Sequence, residues 1–66
     1  MSWSKLEAKV RGDNEWTDIP TTHAQNDLNA KLNYLQGHGF KIKFTDHGFE
    51  VRNPLTKNIE VVYRLV

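Results

Sequence analysis

The longest regular pattern of apolar and polar positions in this chain lies in residues 21–40. Apolar side chains recur there at spacings of four, four and three residues, which at about 3.6 residues per turn forms one stripe along a helix. The residues of the stripe are Ala24, Leu28, Leu32 and Leu35. We therefore predict one amphipathic helix, capped at its start by Thr21 or Thr22 and ended by Gly37 in the left-handed conformation.

Strict alternation of apolar and polar positions, the period of a half-buried strand, occurs on both sides of this helix. Before it, residues 5–11 alternate, residues 12–14 are turn formers, and residues 15–19 can return as the second strand of a hairpin. After it, three segments alternate in the same way, at residues 40–45, 49–52 and 59–66. The order ββαβββ predicts an α+β fold, a two-layer sandwich with the helix packed on one face of an antiparallel sheet.

Residues 5–11 also fit a short helix. Ser4 and Glu7 have the spacing of a capping box, and Gly12 would end two helical turns. We prefer the strand, because the turn formers and the alternating segment that follow give it a hairpin partner.

The last strand differs from the others because it has apolar residues on both faces. Val62 and Val66 lie on the side that should face water, together with Glu60 and Arg64. Strands of this kind tend to lie centrally or under a cover, so we predict the spatial order 2-1-5-4-3. The predicted core consists of Leu28, Leu32, Phe40, Ile42, Phe44, Phe49, Val51 and Val61.

Composition narrows the classes of protein that the chain can belong to. It has 66 residues, enough for one domain spanning 1–66, and no cysteine for disulfides or thiolate metal sites. No apolar run approaches the roughly 18 residues of a membrane span, and no secretory leader is apparent, so we expect a cytoplasmic protein without a membrane partner. Nine basic and eight acidic side chains give a net charge of +1, which argues against a strongly basic nucleic-acid binder and against an acidic DNA mimic.

The distribution of charge is more informative than its sum. On the strand face away from the helix, seven cations accompany Glu7, Glu50 and Glu60, for a net charge of +4. The cations are Lys5, Lys9, Arg11, Lys41, Lys43, Arg52 and Arg64. The other charged residues, which include Asp18, have a net charge of −3. The domain should therefore have one basic side, although a solvated sheet face is often rich in lysine and arginine without any binding function.

Trp3, Val62 and Val66 fall on the same basic face, and basic groups interleaved with an aromatic are typical of sheets that bind an anionic protein or stack nucleic-acid bases. The candidate partner-binding residues are Trp3, Lys9, Arg11, Lys41, Lys43, Arg52 and Arg64. Trp16 and Tyr34 are further candidates for exposed aromatics, although in so small a domain they more often cover the rim of the core.

Histidines and carboxylates give little support to a metal centre. The topology brings His23 and Asp27, at the helix start, towards Asp46 and His47, in the turn after residues 40–45. Such side chains can bind zinc, but this spacing matches no known motif. The sequence also lacks the motifs of activated nucleophiles and phosphate-binding loops. We expect neither metal, cofactor nor catalysis.

These observations favour a small non-catalytic protein-interaction module, a regulator or inhibitor that acts by binding a larger protein. The first alternative is a nucleic-acid-binding protein that uses the basic face of the sheet. The second is a structural homo-oligomer, such as a homodimer, formed through sheet edges or through Val62 and Val66.

Overall fold

A computed structural model describes residues 5–66 of the chain and contains one α-helix and a five-stranded antiparallel sheet. The elements are β1 (Leu6–Val10), β2 (Thr17–Ile19), α1 (Ala24–Gly37), β3 (Lys41–Phe44), β4 (Gly48–Arg52) and β5 (Ile59–Leu65). The strands lie in the order β2-β1-β5-β4-β3. The predicted α+β sandwich and its strand order are therefore confirmed.

The last strand lies at the centre of the sheet, as its apolar character on both faces predicts. It pairs with β1 from Leu6 opposite Leu65 to Val10 opposite Val61, and with β4 on its other side. Residues 6–10 form a strand and not the alternative helix. A register irregularity at Val51/Arg52 lets the ladder between β4 and β5 continue with Ile59 opposite Arg52.

The helix begins later than predicted, at Ala24, with His23 as its N-cap and no side-chain cap. Thr21 does not cap the helix. Its hydroxyl oxygen accepts the His23 N–H at 3.0 Å and its hydroxyl donates to the carboxylate of Asp27 in the first helical turn. That carboxylate lies where the partial positive charge of the helix start favours an anion. Thr21 thus fixes the entry to the helix through a short polar bridge.

The prediction that Gly37 ends the helix is wrong: the helix ends in a Schellman motif built on Gly39. Gly39 has φ of +88°, its N–H donates to Gln36 O at 3.1 Å, and Phe40 N–H donates to Leu35 O at 3.1 Å. This bond pattern defines the motif, and Leu35 and Phe40 are the residues that typically make its apolar contact. Both side chains pack against the core. Gly37 belongs to the last helical turn because the chain reverses two residues later.

The core lies between the helix and the three central strands. Among residues 5–66, its buried side chains are Leu6, Ala24, Leu28, Phe49, Val51 and Leu65. Leu32, Phe40, Ile42 and Val61, which were also predicted, are partly buried around them. Phe44 was predicted as core and is 64% exposed, because it lies at the end of edge strand β3, which one 14-residue helix over five strands does not cover.

Gly48 begins β4 and allows the two central strands to approach closely. A Cβ atom at this position would lie 2.8 Å from the carbonyl carbon of Tyr63 and 2.9 Å from Cα of Arg64, both in the backbone of β5. Side chains cannot be accommodated at such distances without moving the backbone. The lack of a side chain at Gly48 therefore matters inside the sheet, where another backbone approaches closely.

Candidate functional site

Among residues 5–66, no helix or strand covers the face of the sheet turned away from the helix, and we call it the open face. The register places its side chains in rows across the strands. One row runs from Lys9 through Val62 and Glu50 to Lys43, and the neighbouring row contains Arg52 opposite Lys41. The candidate residues of β1, β3, β4 and β5 therefore share one surface, as their alternation predicts.

Three ion pairs hold all three glutamates of the open face. Arg64 Nε donates to Glu7 Oε1 at 2.8 Å across β1 and β5, and Arg52 Nη2 donates to Glu50 Oε1 at 3.0 Å within β4. Arg11 reaches Glu60 at a looser 3.5 Å. Exposed pairs of this kind add at most about 1 kcal/mol to folding. Their larger effect is to fix the arginines in place and to occupy part of their hydrogen-bonding capacity.

The lysines of the open face differ from its arginines. Among residues 5–66, no carboxylate lies within 4 Å of the lysine Nζ atoms of this face. These residues are Lys5, Lys9, Lys41 and Lys43. Lys41 and Lys43 are exposed on edge strand β3. The positive charge that remains available to a partner is therefore concentrated on the lysines.

Trp16 is the aromatic residue that the structure places on the open face. Its ring lies against Arg64, with Cζ of the guanidinium 3.9 Å from the ring centroid, and Lys9 Nζ lies 6.0 Å from the same centroid. Because Arg64 Nε also donates to Glu7, the ring lies against a guanidinium that is itself hydrogen-bonded. Trp16 is consequently half-buried and oriented before any partner arrives.

A shallow depression of about 460 Å³ lies beside this tryptophan. Lys9, Trp16, Glu50 and Val62 contribute to its lining, so it combines an aromatic wall, an apolar floor residue and charges of both signs. Sequence reasoning missed this feature because it depends on the register of β1 against two neighbours. Trp16 lies two residues before Asp18 and three before Ile19, so alternation places it on the face of Asp18 and not on the face of Ile19. That position is the signal that could have located the depression.

Asp18 corrects the predicted charge layout. It pairs in register with Glu7 and so lies on the open face, whereas the prediction assigned it to the acidic remainder. The open face then has seven cations and four carboxylates, a net charge of +3, and the remainder has −2. The two-sided charge distribution persists but is weaker than predicted.

The other predicted residues of this face have different outcomes. Trp3 lies outside the described residues. Val62 is half-buried in the middle of the face, and Val66 is exposed and exchanges backbone hydrogen bonds with Lys5 at 2.9 and 3.2 Å.

Tyr34, the other candidate for an exposed aromatic, lies on the helix and not on the open face. It is 64% exposed, with its ring 4.3 Å from that of His38.

Two grooves flank the helix on the opposite side of the sheet. One, of about 250 Å³, lies between the first half of the helix and the turn after β3; its lining includes Leu28, Phe44 and Phe49. The other, of about 560 Å³, includes Ile19 and Tyr63. Burial raises the pKa of the Tyr63 phenol above its ordinary value of 10.0. Both grooves exist because a single helix cannot cover the width of the sheet.

The structure does not assemble the histidines and carboxylates into a metal centre. Within residues 5–66, no three side chains of the metal-binding types come close enough to hold one ion. Asp27, one of the four residues considered, instead accepts the hydroxyl hydrogen bond of Thr21. Over the same residues, no helix is both long and apolar enough to cross a membrane.

Comparison of the chain with protein-family models, with curated proteins and with solved structures gave no match. The function must therefore be inferred from the open face, its charges and the anchored tryptophan.

Proposed function

We propose that this protein is a non-catalytic interaction module that regulates or inhibits a larger protein by binding an acidic surface of it through the open face. The observation that supports this most is the arrangement around Trp16. An aromatic ring fixed on a hydrogen-bonded arginine, beside a shallow depression, near Lys9 and on the same face as the other unpaired lysines, is the composition of a protein-binding hot spot.

Pre-organisation favours binding through this residue. Ordering a rotamer-rich side chain at an interface costs about 0.5–1.5 kcal/mol. Trp16 avoids much of that cost because Arg64 already restricts its ring, and Glu7 restricts Arg64. The lysines of the open face supply long-range attraction to an acidic partner, which acts mainly on the association rate.

Nucleic-acid binding is the second candidate, supported by the same lysines and the same aromatic ring. Two features favour a protein instead. The three arginines of the face have carboxylate partners, which limits their contacts with phosphates, and four carboxylates lie among the seven cations. A long polyanion would meet both these carboxylates and the acidic remainder of the domain.

The test begins with capture of partners from the source cell on the immobilised chain, with and without added nuclease. The captured protein is then identified, purified and titrated against the natural chain, Trp16→Ala and two double-lysine variants. We expect Trp16→Ala to weaken binding by at least about 2 kcal/mol, the threshold for a hot spot. Lys41→Glu combined with Lys43→Glu should slow association and change the dissociation rate much less.

A matched control is Lys31→Glu combined with Lys57→Glu, which changes the net charge equally but lies off the open face. This variant should bind almost as the natural chain does. Equal losses for both lysine pairs would mean that only net charge matters, and the open face would then not be the binding surface.

The nucleic-acid alternative makes a distinct prediction. If four to six phosphates were neutralised, log K would fall against log salt with a slope of roughly −4 to −5. We expect instead weak non-specific binding of an oligonucleotide, with Kd of about 10⁻⁴–10⁻⁶ M at physiological salt. Sub-micromolar binding there, abolished by the Lys41 and Lys43 substitutions, would replace the protein-binding proposal with this alternative.

A further inference from the structure

The two edges of the sheet differ in what their backbones offer. At the β2 edge, the direction of the backbone groups follows from the flanks of β1. Lys5 exchanges backbone hydrogen bonds with Val66, and the Arg11 N–H donates to the Glu60 carbonyl oxygen, so the odd-numbered residues of β1 bond β5. The even-numbered residues of β1 therefore direct their backbone groups to β2. Ala8 and Leu6 then bond Thr17 and Ile19, and within β2 only Asp18 directs its backbone groups outward. A three-residue edge with one outward residue, itself an aspartate, is a poor template for another strand.

The β3 edge offers more. Thr45 N–H donates to Gly48 O at 3.0 Å, which fixes the alternation along the hairpin. By that alternation, Lys43 and Lys41 exchange hydrogen bonds with Glu50 and Arg52 of β4. The N–H and C=O groups of Ile42 and Phe44 therefore point away from the sheet, where no neighbouring strand exists among the described residues.

The side chains of this edge are sorted by face. Lys41 and Lys43 lie on the open face without a carboxylate partner among residues 5–66. On the helix side, Ile42 is half-buried and Phe44 is 64% exposed at the mouth of the groove that also touches Leu28. A strand added here would find cations on one face and apolar surface on the other.

Pairing of two copies through this edge is disfavoured by the same pattern. Residues directly opposite each other in an antiparallel pair lie on the same face of the sheet. When Ile42 of one β3 lies opposite Ile42 or Phe44 of the other, lysines of the two strands therefore oppose each other. Like charges in that position destabilise the pair. The complementary partner has carboxylates at those positions.

We propose that the β3 edge is a strand-addition site for an extended segment of a partner protein in which acidic and apolar residues alternate. The segment would pair with the outward backbone groups of Ile42 and Phe44. Its carboxylates would meet Lys41 and Lys43, and its apolar side chains would lie beside Phe44. This inference rests on the proposed function, because it specifies the conformation and chemistry of part of the protein partner.

The experiment uses the full chain labelled for NMR and a short synthetic peptide in which glutamate and valine alternate. Hydrogen exchange is measured with and without saturating peptide. We expect the amides of Ile42 and Phe44 to exchange about tenfold more slowly, equivalent to about 1.4 kcal/mol, when the peptide is bound. The amides of Lys41 and Lys43, which already face β4, should change much less.

Charge reversal supplies the control. A peptide of alternating lysine and valine should not slow these amides in the natural chain. In the Lys41→Glu, Lys43→Glu variant, whose fold is checked by circular dichroism, the preference should invert. In this variant, slower exchange of the Ile42 and Phe44 amides with the lysine peptide but not with the glutamate peptide would show that the charges select the added strand.

Three outcomes would overturn the proposal. The first is no slowing at Ile42 and Phe44 with the glutamate peptide. The second is peptide-induced change confined to the region of Trp16 and Lys9. The third is slowing of the same amides without peptide that grows with protein concentration, which identifies a second copy as the occupant. Each leaves the proposed function standing if the captured partner still depends on Trp16, so failure of the edge site and failure of protein binding are distinguishable.

Discussion

The two faces of this sheet are formed by the same strands but depend on different interactions. The helix and the sheet face beneath it contribute the six buried side chains of residues 5–66, among them Leu6, Phe49 and Val51. This side gains its stability from removal of apolar surface from water. The open face contains three ion pairs and a tryptophan stacked on an arginine, all reached by solvent. Burial of a large apolar side chain contributes about 1.5–3 kcal/mol, whereas an exposed ion pair contributes about 0–1.

This difference implies a division of roles within one small domain. Substitutions on the helix face should change folding, and substitutions on the open face should change binding while leaving the fold in place. Variants of the open face can therefore be compared in binding as folded proteins.

The largest effect is expected at Gly48, where the backbones of β4 and β5 meet. Gly48→Ala places a methyl group against the Tyr63 carbonyl and the Arg64 Cα, so the strands must separate. Overpacking a core costs about 1–3 kcal/mol; here backbone must move, and we expect a cost at or above the top of that range. Circular dichroism at room temperature should show a largely unfolded chain.

The control for Gly48 is Gly37→Ala. A Cβ atom at Gly37 meets nothing within 4 Å, and alanine favours the helix by up to about 1 kcal/mol relative to glycine. This variant should therefore melt at or slightly above the temperature of the natural chain. A cooperative, unchanged melt for Gly48→Ala would show that the central strands can separate at little cost.

The next effect separates the buried part of the helix face from its uncovered end. Leu28→Ala should lower the free energy of unfolding by about 2–5 kcal/mol, because Leu28 is buried against the sheet. Phe44→Ala, at a side chain 64% exposed, should cost only about 0.5 kcal/mol. Urea titrations of both variants measure the contrast. Similar losses would mean that Phe44 belongs to the core after all.

Phe44 also shows how far the sequence determines the fold. Period-two and period-3.6 patterns place residues on the correct face of each strand and of the helix, and the apolar character of β5 predicts its central position. Those patterns contain no information on how far across the sheet the helix extends. The exposure of Phe44 therefore follows from the dimensions of the two layers, which no local pattern specifies.

Local ends of elements were misplaced for a related reason. Gly37 and Gly39 are both suitable residues for a helix end. Which of them ends the helix depends on which position lets Leu35 and Phe40 pack against the core together. The open face shows the same limit. Alternation assigned Lys9, Glu7 and Arg64 to it, but the pairing of Glu7 with Arg64 and the stacking of Trp16 require the relative register of three strands.

A smaller effect is expected for the ion pairs of the open face. The Glu7–Arg64 pair is short and partly shielded, so a double-mutant cycle with Glu7→Gln and Arg64→Met should give a coupling energy of about 0.5–1 kcal/mol. The Arg11–Glu60 pair, at 3.5 Å with Arg11 well exposed, should give about 0–0.3 kcal/mol. Urea titrations at low and high salt measure both couplings.

High salt should reduce the first coupling. A coupling well above 1 kcal/mol for Glu7 and Arg64 would show that the open face contributes substantially to folding, and the division between the two faces would be less sharp than proposed.

The smallest effect concerns the dependence of stability on alkaline pH. Burial raises the pKa of the Tyr63 phenol above 10.0, so the folded state holds this proton at pH values where the unfolded state has released it. Because the unfolded state then binds fewer protons, stability falls as pH rises above about 10. The contribution is fully present below that pH. Tyr63→Phe removes the ionisable group and should flatten this part of the stability curve.

The informative quantity is the difference between the slopes of unfolding free energy against pH for Tyr63→Phe and for the natural chain. Tyr63→Phe should have the shallower slope above pH 10, because it lacks the group whose proton the folded state retains. Equal slopes for the two proteins would mean that solvent reaches the Tyr63 phenol freely, through the groove beside the helix that this residue lines.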